Sequence, residues 1–480
     1  MTGRYDPARS AGKQRRREYG GSCCIMVPHP PMIVPDVGRG SEEQIRETTE
    51  AYLQVAREIA ELKPETIIIT SPHATMYRNY FHISPGVHAE GDFGEFRAPK
   101  VRFDEVYDHE LVNQITEIAF DLDFPAGFEG EKRKSLDHGT MVPLYFIRKY
   151  YSEGDIIRIG LSGLSLAEHY RMGMIIREAV EKLGRRAVFV ASGDLSHKLQ
   201  DYGPYGFSPE GPVYDRRIMD VCSRAAFDEM LEFDEEFCDR AAECGHRSFV
   251  IMAGALDGTA VEARTLSHQD VTGVGYGICT FYPKGEDGER HFYDKLTRRL
   301  EETSDGYVRL ARASLEYYIR TGRKLRIPED ISEELKEQLP EEMFRHRAGA
   351  FVSIHKHGEL RGCIGTIGPT EDNIAEEIIN NAISASTRDP RFSPITEDEF
   401  PWLEVNVDIL GEPEEIVSKD QLDVKRYGVI VTSGRKRGLL LPDLEGVDDV
   451  DTQVHIALRK GGIRPSEDYT LQRFEVIRHT

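Results

Sequence analysis

The stretch TIIITSPHATM, residues 66–76, decides how the rest of the chain is read. An apolar run without polar alternation is the pattern of a strand buried on both faces, as in a parallel sheet covered by helices. The run stops at Ser71-Pro72, where proline withholds a ladder donor, and the next residue is His73. A buried strand that ends in an imidazole puts that imidazole at the rim of the sheet.

Working outward, Cys23–Val27, Ile156–Leu161 and Ala187–Ala191 have the same character. Amphipathic helical patterns separate them, among them residues 41–63, for which Ser41 is the expected N-cap with glutamates close behind. The alternation predicts an α/β domain, a central sheet flanked by helices, over residues 21–285. Two more of its strands end in histidine: CCIMVPHPP supplies His29 and AVFVASGDLSH supplies His197. Ligands of open α/β sheets gather at the carboxyl ends of strands. Three equivalently placed histidines therefore predict one shared site, with Asp194 either orienting His197 or capping its turn.

Two further segments join the candidates. SLDHGTMVPLYF sets His138 beside Asp137 at the start of a helix, and AAECGHRSFVIMAGALDG packs Glu243, Cys244 and His246 ahead of an apolar one. Two neutral imidazoles and one anionic group, with positions left open, make a mononuclear catalytic metal site. With a carboxylate the set is the facial triad of non-haem Fe(II); with a thiolate the preference moves toward softer metals or Zn. The sequence leaves Glu243 and Cys244 both open as the third ligand.

Composition bounds the functions. At 480 residues the chain exceeds one ordinary core, and 39% hydrophobic with 30% charged residues is the balance of a globular protein. A formal charge of -22 argues against general nucleic-acid binding. Residues 1–20 read as a disordered basic extension, with no hydrophobic segment of signal-peptide length after them, and seven scattered cysteines suit a reducing compartment. A cytoplasmic protein with no membrane association, and a homo-oligomer, is expected.

The motifs VPHPP, SPH, LDHG and SGDLSH, in this order, resemble those of class III extradiol ring-cleavage dioxygenases of the LigB type and their relatives in the Memo family. The resemblance implies that His29 and His73 bind Fe(II), that His197 is an acid/base beside a small catechol-like substrate cleaved with O2, and that His138 lines the pocket. The departure is at the third ligand: ring-cleaving members use glutamate, whereas CGHRSFVIMAGA is more similar to the Memo segment in which the matching residue is cysteine. The alternative it implies is a Memo-like metal-binding protein acting in a regulatory or modification pathway. A Zn hydrolase on the same ligands is a third possibility.

A charged stretch, read as a linker over residues 286–304, precedes a second unit over 305–480 in which strands and helices alternate in an α+β rhythm. LRGCIG and RDPRFSP within it resemble the signatures of the AMMECR domain family, which carries no agreed chemistry. From the residues themselves, Cys363 lies between glycines two positions after Arg361, and its thiolate could be stabilised by that guanidinium or the thiol could be structural. Arg388 and Arg391 either bind an anion or anchor the loop against the acidic TEDEF that follows. The fusion resembles AmmeMemoRadiSam systems, which implies a radical SAM protein as partner.

Overall fold

The buried runs become the strands they predict. In chain order the first unit contains β1 (Cys23–Val27), α1 (Arg46–Leu62), β2 (Thr66–Ser71), β3 (His88–Phe93), β4 (Ala98–Val106), α2 (His138–Ile147), β5 (Asp155–Gly160), α3 (Leu166–Leu183), β6 (Ala187–Ser192), α4 (Glu210–Arg224), α5 (His246–Ala255), β7 (Thr259–Gln269) and β8 (Tyr276–Glu286). This is a computed structural model, describing residues 23–132, 135–296, 304–444 and 446–480. The chain divides into two units, one up to residue 297 and one from 298. The extension expected over residues 1–20 lies outside the described residues.

The central sheet runs β5-β2-β6-β1-β8-β7. Its first four strands are parallel and the β7–β8 hairpin closes one edge antiparallel. The two faces explain the unbroken apolar runs. Ile25, Val27, Ile67 and Ile69 belong to the core beneath α1 and α2, while Cys24, Met26, Ile68 and Phe189 belong to the core beneath α3, α4 and α5. Helices cover most of both faces of these strands, so neither side carries polar alternation.

Two local expectations are corrected. Ser41 does not cap a helix: residues 41–45 form a 3-10 turn whose N-cap is Gly40, and the Ser41 hydroxyl donates to the Gly38 carbonyl at 2.6 Å. The left-handed conformation of Gly40, φ 106°, turns the chain before α1 begins at Arg46. Much of the stretch read as a linker is structured with the first unit, for Phe292 is 9% exposed in its core and donates its N–H to Asp257 at 2.8 Å. Residues 297–303 of that stretch lie outside the described residues.

The second unit is α+β. It contains α6 (Gly306–Thr321), β9 (Ala350–Lys356), β10 (Glu359–Gly365), α7 (Ile374–Thr387), β11 (Leu403–Leu410), β12 (Glu414–Ile416), β13 (Gly428–Ser433), β14 (Lys436–Leu440), α8 (Val450–Lys460), β15 (Thr470–Phe474) and β16 (Val476–His479). These strands make two four-stranded sheets, ordered β10-β9-β11-β16 and β12-β15-β13-β14. Among the described residues no helix is long and apolar enough to cross a membrane.

Candidate metal centre

The carboxyl ends of β1, β2 and β6 bring their histidine loops together. His29 Nε2 lies 3.1 Å from His73 Nε2 and 3.6 Å from Cys244 Sγ, and the three donor atoms all fall within 4.8 Å of one another. Metal–nitrogen bonds of about 2.0–2.1 Å and metal–sulfur bonds of about 2.3 Å hold tetrahedral donors roughly 3.4–3.7 Å apart. The observed spacings fit one metal ion, with the buried His29, the exposed His73 and the half-buried Cys244 as donors.

Hydrogen bonding aims the His29 ring. Ser192 Oγ lies 2.6 Å from the Gly139 carbonyl, which can only accept, so the hydroxyl proton goes there. His29 Nδ1, 3.0 Å from the same oxygen, must then be the donor, which leaves the Nε2 lone pair free toward Cys244 and His73. The His29 backbone N–H donates to Asp194 Oδ1 at 2.7 Å, and Tyr52 Oη donates to the Pro28 carbonyl. Burial, and then the neighbouring His73, push the His29 pKa down to about 3. A neutral imidazole is the form a metal requires.

A second network supports the β2 loop. The Ser71 hydroxyl accepts from the His73 N–H at 3.2 Å and donates to Asp137 Oδ1 at 2.5 Å. Asp137 caps α2 through the Thr140 N–H at 3.0 Å, and Arg158 stands 3.5 Å from its other oxygen. Burial works against the Asp137 charge, yet Arg158 and the Ser71 and Thr140 hydrogen bonds hold its pKa below the ordinary value. His138, the first residue of α2, lies with its ring centroid 3.9 Å from that of His73. Burial and then His73 and His29 lower its pKa to about 3.

His197 stacks on Tyr205 at 5.1 Å, with 3.9 Å between its Nε2 and Asp194 Oδ2, too long for a direct hydrogen bond. Burial keeps it below its ordinary pKa against the pull of Asp194. Asp194 is pushed up to about 6 by burial, opposed by His197 and by the N–H of His29. Its backbone N–H points at Cys244 Sγ at 3.3 Å. Asp194 therefore caps the His29 turn and steadies Cys244 rather than orienting His197.

Of the two candidate third ligands, the geometry brings Cys244 to the histidines and takes Glu243 away. Glu243 Oε2 accepts the His246 N–H at 2.5 Å, so the carboxylate caps the first turn of α5. Adjacent residues in a tight turn point apart, and only the sulfur faces the strand ends. His246 is also occupied, donating from Nε2 to the Met230 carbonyl at 2.9 Å and leaving Nδ1 to accept from Tyr214 Oη at 3.2 Å. Glycine makes the approach possible: a methyl group on Gly193 would lie 2.1 Å from Gly245 Cα, so the two loops meet backbone to backbone.

A cleft of about 900 Å³ opens beside His73 and His138, lined also by Phe96, Arg102 and Met141 and by carboxylates of β3, β4 and the turn between them. Sequence reasoning missed Ser192, Ser71, Arg158 and Tyr205. The one hint was the position of Ser71 and Ser192 as the last residues of buried strands, where a hydroxyl needs a partner.

In the second unit Arg391 stays beside Cys363 through Asp389, while Arg361 is drawn to Glu399. Arg361 turns to Glu399, with contacts of 2.8 and 2.9 Å, so it is this arginine that anchors the TEDEF segment. Cys363, half-buried on β10, has its Sγ 3.3 Å from Ser353 Oγ and its N–H on Asp389 Oδ2 at 2.9 Å. Arg391 pairs with Asp389 at 2.7 Å and reaches the Cys363 carbonyl at 3.2 Å, whereas Arg388 is exposed at the C-cap of α7.

Residues 23–279 match the family described as the catalytic LigB subunit of aromatic ring-opening dioxygenase, and residues 308–479 match AMMECR1. Protein CA_C1420 of Clostridium acetobutylicum is 43% identical over 467 residues, covering 95% of this chain and 98% of its own. A protein of Thermotoga maritima is 49% identical over 175 residues, 36% of this chain and 96% of its own. Among solved structures, the uncharacterized protein PH0010 of Pyrococcus horikoshii shares 31% identity over 37% of this chain and 91% of its own, with a TM-score of 0.33. The uncharacterized protein JW3007 of Escherichia coli K12 shares 14% identity over 54% of this chain and 98% of its own, with a TM-score of 0.37.

Proposed function

Because the chain belongs to the LigB family of aromatic ring-opening dioxygenase catalytic subunits, here joined to an AMMECR1 domain, we propose that its first unit is a mononuclear metal protein whose donors are His29, His73 and Cys244. The observation that carries this reading is the cluster of those three donor atoms within 4.8 Å, with Glu243 engaged at the α5 N-terminus instead. A thiolate in place of the triad carboxylate favours a Memo-like centre that binds a small polar ligand in the cleft over one that cleaves catechols. Fe(II) or another divalent ion would supply Lewis acidity toward a ligand hydroxyl and, if redox-active, electrons.

The chain's own residues do the rest. Ser192 holds the His29 tautomer, and Asp194 fixes the His29 backbone and the Cys244 sulfur. His138 lines the cleft, and His138 and His197 both stay neutral at neutral pH, the form in which an imidazole can accept a proton. Those two imidazoles favour a second reading, extradiol-type dioxygenation with His197 as acid/base. A radical SAM enzyme is the partner class that goes with the domain fusion.

The test is metal content after anaerobic purification, followed by O2 consumption over a panel of catechols. One metal per chain, lost in Cys244→Ser and kept in Glu243→Gln, is expected. The opposite pattern overturns the thiolate assignment, and catechol-dependent O2 uptake by the wild type moves the conclusion to ring cleavage.

A further inference from the structure

A second group of soft donors lies in the core beneath α4, away from the strand ends. Met26 on β1 and Cys279 on β8 are directly opposite each other in register, and Cys222 on α4 packs over the pair. Cys222 Sγ donates toward Met26 Sδ at 3.7 Å. The Thr265 hydroxyl lies 3.7 Å from Cys279 Sγ. Met219 adds a fourth sulfur nearby: a methyl group on Gly277 would lie 2.7 Å from Met219 Sδ and 3.1 Å from Met26 Cε. Cys222, Cys279 and Met26 are each 0% exposed, and none contributes to the centre described above.

We infer that Cys222, Cys279 and Met26 form a site for a soft monovalent cation, of which Cu(I) is the biological example. Thiolate and thioether together select such ions over Mg, Ca or Mn. The 3.7 Å between Cys222 Sγ and Met26 Sδ fits, because three sulfurs each about 2.3 Å from one ion in a plane stand roughly 4 Å apart. Charge fits as well. The ion takes the place of one thiol proton, which leaves to solvent, and Cu(I), one thiolate and one thiol sum to zero. A divalent ion would reach neutrality in this apolar core only by expelling both thiol protons. No electron is transferred in the step.

A site buried this deeply needs an entry path. Cys24 provides it: two residues before Met26 on the same face of β1 and 7% exposed, it lines a solvent-open groove of about 530 Å³ together with Ile68, Phe189 and Ala255. An ion captured by Cys24 needs to move one residue pair along the strand to reach the cluster.

The experiment is anaerobic titration of the full chain carrying Cys244→Ser, which silences the other thiolate site, with Cu(I) against a Cu(I)-specific chelator. One equivalent bound and one proton released per ion are expected. Cys222→Ala and Cys279→Ala in the same background should weaken binding at least about 100-fold. Met26→Leu, which keeps the volume and the fold, should weaken it about 10-fold with an unchanged melting curve. X-ray absorption should show sulfur neighbours at about 2.3 Å and no nitrogen. No Cu(I) uptake by Cys244→Ser, or equal affinity in Cys279→Ala and Met26→Leu, or nitrogen neighbours of the bound ion, overturns the site and leaves the sulfurs as core packing.

Discussion

Ser192→Ala tests the reasoning behind the metal centre at its narrowest point. The substitution leaves all three donors in place and removes only the oxygen that accepts from His29 Nδ1 and donates to the Gly139 carbonyl. His29 is 2% exposed, so water cannot take over. An orphaned buried N–H is worth about 1–3 kcal/mol, which the metal-free protein should lose in stability. Metal affinity should also fall, because the ring is no longer held with Nε2 free. Loss of the hydrogen bond that orients a ligating histidine weakens binding roughly 10- to 100-fold, which is about 1.4–2.7 kcal/mol. Competition against a chromophoric chelator measures the affinity, and melts with and without metal measure the two stabilities. Cys244→Ser marks the floor. If Ser192→Ala binds within about threefold of wild type, the tautomer argument is wrong and the His29 ring is held by packing alone.

Other outcomes follow from the same geometry. Gly193→Ala should cost about 1–3 kcal/mol and lower metal affinity, since the new methyl drives the Cys244 loop off the Asp194 loop; a crystal structure of the variant with both loops unmoved would contradict it. Arg361→Ala should destabilise the second unit by about 1–2 kcal/mol by leaving the buried Glu399 with Lys356 as its remaining cationic partner, and thermal unfolding as steep and late as wild type would argue that the Arg361 pair is inert. Acid should act through the same carboxylate. Burial raises the Glu399 pKa, but Arg361, the Thr396 N–H and Lys356 outweigh it and hold it at about 2, below the roughly 4.3 of an unfolded glutamate. Its contribution is complete above that value and fades as pH falls toward 2. The fluorescence of Trp402, the sole tryptophan, reports this unit directly, and Glu399→Gln should flatten the dependence below pH 5.

The strands and the histidine loops were legible because burial on both faces forces unbroken apolar runs, and because such runs end where the chain reaches the sheet rim. The partners of those histidines were not. Ser192 and His29 are 163 positions apart, and no local pattern announces that a strand-end hydroxyl will lock a ring on a neighbouring strand. Glu243 and Cys244 could not be separated in sequence because both are competent donors in one turn, and it is the capping demand of α5 that draws Glu243 away from the histidines. In the second unit the signature residues were visible but their pairing was not, so the role of anchoring TEDEF went to Arg361 rather than to Arg388 or Arg391. Ser41 was misplaced because a glycine immediately before it bent the chain first.

The meeting of Gly193 with Gly245 has a mechanical consequence. Between most loops a layer of side chains acts as a cushion, taking up small displacements by changing rotamers. Here the cushion is missing, so a push on the first turn of α5 is delivered undamped to the segment that carries Asp194 and His197. Whatever binds at the rim of this sheet therefore meets sulfur and imidazole moving as one body, and loosening one of them without the other would require adding a side chain where there is no room for it.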